Sequence, residues 1–376
     1  MMKVLIASDK FKGTLSAHEV CEAISKGIKK NNEVEIEIQA LADGGDGSLE
    51  IISQFLNLEK QLIQTVDPLG RKIKTFYLTS HDSAFIELAH ASGIALLPKE
   101  DRNPMKTSTY GTGLMIKDAI NKGFKKVFLF LGGSATNDAG TGIASALGWK
   151  FQDKHKRELY VNGGNLVDIH IIESPSDSIT EDIEIVLLCD VTNPLYGPHG
   201  SAYIYAAQKG ANSQEIEFLD NGLKNIHAVL LKESGIDTNR IPGVGSAGGI
   251  GASLIALCNA KIQIGFEMIS NLTNLEDKIR NADIVISGEG KLDSQSVKGK
   301  VIYGVSKLCK KHEKPLIVFA GQNELTASEI ENLAVKNAYA IMDHAKDIED
   351  ALSNGKFYLE KIAGKLNLYQ FKVRVR

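Results

Sequence analysis

At 376 residues the chain exceeds the length at which a single hydrophobic core usually stops growing, so two domains are expected. Its 43% hydrophobic and 24% charged content is that of an ordinary soluble globular protein, neither disordered nor membrane-spanning. A net charge of −3, 6% aromatic residues and a single Trp argue against nucleic acid or an anionic membrane as the principal partner. The four cysteines, Cys21, Cys189, Cys258 and Cys309, form no C-x-x-C pair, which removes the zinc knuckle and the redox dithiol and leaves them as small apolar packing residues. The first apolar run, 4–7, is too short for a secretory signal, and 250–258 is too short to span a bilayer; a cytoplasmic protein is expected.

Taken in chain order, 4–7 reads as a buried strand. Ser16-Ala17-His18-Glu19 then fits a capping box, and Ala17, Val20, Ile24 and Ile28 follow at near-helical spacing, predicting a helix that ends near Asn31-Asn32. A strand over 33–42 and a helix over 48–58 come next. Residues 61–85 alternate around Asp67-Pro68-Leu69-Gly70, which predicts antiparallel strands joined by a turn. The middle holds a helix over 111–121 closed by Gly123, a strand over 126–131, a helix over 138–147 closed by Gly148, and a strand over 183–190. The tail predicts strand 284–286, helix 301–312, strand 316–320 and helix 327–336. The strand–helix alternation predicts an α/β protein of two α/β domains. One is a discontinuous Rossmann/flavodoxin-like domain with a parallel sheet, from 1–64 and 276–376; the other is an inserted α/β domain, 65–275, with some antiparallel strands.

Five of the apolar runs end in a loop that combines acid with Gly, Ser or Thr: Ser8-Asp9, Asp43-Gly44-Gly45-Asp46-Gly47, Gly132-Gly133-Ser134-Ala135-Thr136-Asn137-Asp138, Asp190, and Ser287-Gly288-Glu289-Gly290-Lys291. Open α/β sheets bind ligands beyond the carboxyl ends of their strands, so these loops are expected to meet in one cleft. Carboxylates beside phosphate-sized glycine loops suggest a metal and a nucleotide.

Several familiar sites are excluded. No Gly-x-x-x-x-Gly-Lys-Ser/Thr P-loop, protein-kinase signature, Gly-x-Ser-x-Gly elbow or i, i+4 histidine pair is present. Gly243-Val244-Gly245-Ser246-Ala247-Gly248 matches a dinucleotide fingerprint but follows Arg240-Ile241-Pro242 where a strand should be, so a nicotinamide-dependent hydroxy-acid dehydrogenase is a lesser alternative. A non-catalytic ligand sensor would not need so many acids and lysines. What remains suits phosphoryl transfer, which calls for Mg²⁺, backbone N–H donors and cationic side chains. The 132–142 loop offers such donors at a helix N-terminus, with Asp138 as an N-cap in the plainer reading. Lys10 and Lys12 stand where a phosphate or a substrate carboxylate would be received, or are a solvated pair. Asp43 and Asp46 are hard-oxygen candidates for Mg²⁺, or parts of an Asx turn. Asp190 stands where a base or metal ligand would, with Asn193 able to orient substrate or metal. Glu289 and Lys291 bring acid and cation together, or pair with each other. Arg71 is a candidate carboxylate clamp.

Ser8-Asp9-Lys10-Phe11-Lys12-Gly13-Thr14-Leu15-Ser16, Ala42-Asp43-Gly44-Gly45-Asp46-Gly47, Asp67-Pro68-Leu69-Gly70-Arg71, residues 132–142, Cys189-Asp190-Val191-Thr192-Asn193-Pro194-Leu195 and residues 287–293, in that order, closely resemble the bacterial glycerate kinases of the type I family. The likeness runs from the first strand to about Gly321. It implies an ATP-dependent kinase phosphorylating D-glycerate on the 2-hydroxyl, with a 3-phosphoglycerate-forming kinase as the alternative, Mg²⁺ as the metal and the active site between two α/β domains. On that basis Asp190 is expected to accept the hydroxyl proton, Asp43, Asp46 and Glu289 to hold Mg²⁺, and Lys12 with Lys291 to offset phosphate charge. Gly132, Gly133, Ser134, Ala135, Thr136 and Asn137 would hold the ATP phosphates, Arg71 or Lys10 the glycerate carboxylate, and Asn193 would orient substrate. The sequence is silent on oligomeric state, a homodimer being one open alternative.

Overall fold

The structure, a computed structural model, describes residues 1–371 apart from 43, 46, 178, 294, 295 and 297–300. Its strands in chain order are β1 Met2–Ser8, β2 Val34–Ala40, β3 Glu59–Val66, β4 Lys72–Ser80, β5 Ser83–Glu87, β6 Lys126–Phe130, β7 Lys150–Gln152, β8 Ile171–Glu173, β9 Glu184–Leu188, β10 Lys261–Gln263, β11 Ile284–Leu292, β12 Leu316–Asn323 and β13 Val335–Ala340. They fall into two compact units, Met1–Asp43 with Gly265–Arg376, and Gly44–Ile264.

The first unit is built on a five-stranded sheet of order β13-β12-β11-β1-β2, parallel throughout. Strands buried on both faces read as continuous apolar runs, which is why 4–7 and 284–286 are visible in sequence. Alternate residues supply two cores. Val4, Ile6, Ile284, Ile286, Ile317 and Phe319 pack with helices Ala17–Ile28 and Gly355–Ala363. Leu5, Ala7, Val285, Leu316 and Val318 pack on the other face with Val301, Ile302 and Val305 of helix Val301–Lys311. Helix Ala17–Ile28 begins at the expected capping box: the Glu19 N–H donates to Ser16 Oγ at 3.3 Å, and the Ser16 N–H donates to Glu19 Oε2 at 2.9 Å, holding the Glu19 carboxyl below its usual range. Ser16→Ala should cost about 1 kcal/mol in urea unfolding.

The second unit carries a six-stranded sheet of order β10-β9-β6-β5-β4-β3, in which β10, β9, β6 and β5 run parallel while β4 and β3 are antiparallel additions. The turn between β3 and β4 is tied by Asp67 Oδ1, which accepts from the Leu69 and Arg71 N–H groups, and closed by Gly70 at φ +82°. A separate antiparallel pair, β7–β8, and the 22-residue helix Ser213–Ser234 complete the unit.

The division falls at 43/44 and 264/265 rather than at 64/65 and 275/276. At the first boundary, helix Ser48–Ile52 is held by β5: Glu87 Oε1 accepts the Leu49 N–H at 2.9 Å, and β3 pairs along its whole length with β4. At the second, Phe266 of helix Gly265–Leu272 packs into the core of the first unit, against Gly304. Helix Ser48–Ile52 is shorter than the expected 48–58, and the expected 327–336 helix ends at Asn332, its tail belonging to edge strand β13. All four cysteines are buried, and burial pushes the Cys21, Cys258 and Cys309 thiols up to about 12, as apolar packing residues would be. Among the described residues no helix is long and apolar enough to cross a membrane.

Candidate active site

In the parallel sheet of the first unit, the chain moves outward from β1 to β2 on one side and from β11 through β12 to β13 on the other. The crevice where such an order reverses, at the carboxyl ends of the strands, is where open α/β sheets bind ligands. Here it lies between β1 and β11; residues 287–291, expected as a loop, continue β11 as strand paired with β12, and the end of β1 is stitched to them. The Asp9 N–H donates to the Gly288 carbonyl at 3.0 Å, Ser8 Oγ to the same carbonyl at 3.0 Å, and Ser287 Oγ to the Ala7 carbonyl at 2.6 Å. A Cβ on Gly288 would lie 2.8 Å from Ser8 Oγ, so close an approach needs glycine.

A cavity of about 320 Å³ opens beside this junction. Asp9, Lys10, Phe11 and Lys12 line it from the β1 side, Glu289, Gly290 and Lys291 from the β11 side, and Ile341, Met342, Ile348 and Leu352 from beyond β13. Lys10, Lys12, Glu289 and Lys291 thus line one cavity. Glu289 is 4% exposed, and Ser296 Oγ donates to its carboxylate. Lys291 pairs with Glu324 at 2.9 Å rather than with Glu289, and this partner raises the lysine further above neutrality, so it is charged at physiological pH. Asp43 and Asp46 lie outside the described residues, and among those described no three His, Cys, Asp or Glu side chains meet as a metal cage. The donor chemistry nevertheless suits a hard cation in kind, since the acids Asp9 and Glu289 both line the same cavity.

The other expected residues belong to the second unit. Asp190 is half-buried and follows the carboxyl end of β9. Asn193 has its amide committed locally: Nδ2 donates to the His199 carbonyl at 2.9 Å and Oδ1 accepts from the Tyr205 hydroxyl at 2.7 Å. Arg71 is held by Asp67 at 2.5 Å and Asp101 at 2.8 Å, which raise its pKa. In the 132–137 loop, Gly132 and Gly133 are half-buried, whereas Ser134, Ala135, Thr136 and Asn137 are buried. Ala135 N–H donates to the Ser92 carbonyl at 2.9 Å, and the Thr136 carbonyl accepts from Lys209 Nζ at 2.7 Å. Lys209 is 2% exposed, and loss of hydration lowers its pKa to about 7 against a smaller upward pull from Asp138.

Asp138 is a structural hub. Its Oδ2 accepts from Thr109 N–H at 2.7 Å, Thr109 Oγ1 at 2.8 Å and Gly142 N–H at 3.3 Å, while Oδ1 accepts from Gly140 N–H at 3.2 Å. The helix it serves is Thr141–Ala146, three residues later than expected, with Gly140 at the N-cap position. The fingerprint-like Gly243–Gly248 stretch follows a 3₁₀ turn, Thr238–Arg240, instead of a strand, and its glycines serve packing. Gly248 has φ +86°, and a Cβ there would lie 2.1 Å from the Thr136 carbonyl oxygen. Gly248→Ala should therefore destabilise the second unit by about 2 kcal/mol or more in chemical unfolding, from left-handed strain together with the clash.

Glu87 is a residue that the loop-based reading does not single out. It closes β5, at the same sheet edge as the loops after β6 and β9, is 5% exposed, approaches His90 Nε2 at 3.4 Å and anchors the helix that follows Gly47. The signal that could find it is the one used elsewhere, an acid ending an apolar run; it is masked because 83–87 continues the alternation of the antiparallel pair.

The chain matches the glycerate kinase family over residues 4–369. It is similar to the glycerate kinase of Halalkalibacterium halodurans, 36% identical over 96% of this chain and 97% of that one, and to the glycerate 2-kinase of Escherichia coli, 37% identical over 93% of each. Its structure is similar to a crystal structure assigned to glycerate kinase 2 of Salmonella typhimurium LT2, with a TM-score of 0.76 at 35% identity over 98% of this chain and 99% of that one. With a family match along nearly its whole length and relatives of this identity, the chain belongs to the glycerate kinase family and is a kinase, a phosphotransferase with an alcohol acceptor.

Proposed function

We propose that the protein transfers the γ-phosphoryl group of ATP to the 2-hydroxyl of D-glycerate, releasing ADP and 2-phosphoglycerate. The observation that carries this reading is the gathering of Lys10, Lys12 and Lys291 with Asp9 and Glu289 around one cavity at the sheet's switch point. A relative 37% identical, the Escherichia coli protein, is a glycerate 2-kinase, which supports the 2-hydroxyl as acceptor. In the transfer the glycerate oxygen bonds to the γ-phosphorus, the bond from that phosphorus to the β,γ-bridging oxygen breaks, and the hydroxyl proton passes to Asp190. Lys12 and Lys291 offset charge on the phosphate oxygens. Gly132 and Gly133 offer accessible backbone to them, supported from within by Ser134, Ala135, Thr136 and Asn137. Lys10 or Arg71 receives the glycerate carboxylate, the Arg71 guanidinium being held in place by Asp67 and Asp101. Asn193 acts by shaping the loop after Asp190. Asp43, Asp46 and Glu289 would hold Mg²⁺, which when bound spreads the negative charge of the phosphates.

ADP release is the test. It should require D-glycerate together with a divalent cation and stop when the cation is chelated. ATP consumption that ignores D-glycerate, or none at all, contradicts the reading, and oxidation or reduction of a nicotinamide cofactor by glycerate would favour a dehydrogenase instead.

A further inference from the structure

The cavity of the first unit has two chemically different ends. One is ionic, lined by Lys10, Lys12, Glu289 and Lys291. The other is apolar, formed by Ile341 and Met342 just after β13 and by Ile348 and Leu352, one turn apart on helix Ile348–Ser353. Ile348 is 60% exposed and Leu352 51% exposed, so two large aliphatic side chains stand at the cavity in contact with water.

Glycerate gives such a wall nothing to bury, because each of its three carbons carries oxygen. A nucleotide has both parts in one molecule: a flat, weakly hydrated base and a polyanionic tail. Burying a base against Met342, Ile348 and Leu352, with the already buried Ile341 behind them, would remove apolar surface from water, while the tail would run toward the lysines. The position agrees, since it lies at the carboxyl ends of parallel strands beside the switch point. Resting on the ATP-dependent reading above, we propose that this cavity is the seat of the nucleotide, with the purine base against the Ile341–Leu352 wall and the phosphates directed to Lys12 and Lys291.

The experiment is calorimetric titration of the full-length protein with ADP and, separately, with tripolyphosphate, which has the charge but no base, both in Mg²⁺ buffer. The variants are Ile348→Asp and Leu352→Asp, each at an exposed position where a polar side chain is tolerated by the fold. The Kd for ADP is expected to rise by about tenfold or more in each variant, with the Kd for tripolyphosphate changed by much less. ADP binding that is unchanged in both variants overturns the seat while leaving the ATP reading intact. A wild-type protein that does not bind ADP at all overturns both, so the two failures are distinguishable.

Discussion

Asp190→Asn is expected to lower kcat by about 10²-fold or more while leaving the fold and the affinity for nucleotide in place. The carboxylate follows the carboxyl end of β9 and is half-buried, so replacing it by an amide removes proton-accepting capacity without opening a cavity. An amide keeps the size and the hydrogen-bonding character but cannot take a proton at neutral pH, which separates a base from a residue that only orients substrate. Unfolding curves for the variant and the parent should coincide within about 0.5 kcal/mol. A near-normal kcat in a well-folded variant would remove Asp190 from the role of base.

The second large effect is on stability, at Asp138. Its carboxylate accepts four hydrogen bonds, from two groups of Thr109 and from the N–H groups of Gly140 and Gly142, and it is fully buried. Asp138→Ala strands those donors without water, and should destabilise the protein by about 3–5 kcal/mol in chemical unfolding. Asp138→Asn keeps an oxygen in the place of Oδ2 and sets an NH₂ group against the Gly140 N–H, so it should lose about half as much. Burial raises the Asp138 pKa and outweighs the lowering by its hydrogen bonds. The unfolded chain ionises this group at a lower pH than the folded one, so its contribution to stability is complete below the usual aspartate value and declines as pH rises through that value to the raised one. An alanine variant as stable as the parent would contradict the hub assignment.

The parts of the fold readable in sequence are those where one physical cause acts alone. Residues 4–7 and 284–286 lie in strands buried on both faces and show as unbroken apolar runs; Ser16 and Glu19 announce a helix start because their reciprocal bonds are local. The β13 edge strand is hidden because the consecutive exposed residues Lys336 and Asn337 interrupt its apolar pattern, and because the turn before it is made by Ala334 at φ +52° instead of by a glycine. Helix Ser213–Ser234 does carry its signal, in Leu219, Leu223, Ile226 and Leu230 and in the Asn212–Glu215 capping box. For the site, residue type locates the loops but not the fate of each side chain. Asp138 and Asp190 both follow strands, yet Asp138 is fully buried under its hydrogen bonds and Asp190 reaches water. Arg71 and Asn193 resemble free substrate-binding groups in sequence because one partner of each, Asp101 and Tyr205, lies 30 and 12 residues away.

The most direct test of the account is the identity of the product. Incubation with D-glycerate, ATP and Mg²⁺, coupled to enolase alone, should yield phosphoenolpyruvate without any phosphoglycerate mutase, because enolase accepts the 2-phosphate. Phosphoenolpyruvate that forms only when the mutase is added would mean transfer to the 3-hydroxyl and would contradict the assignment.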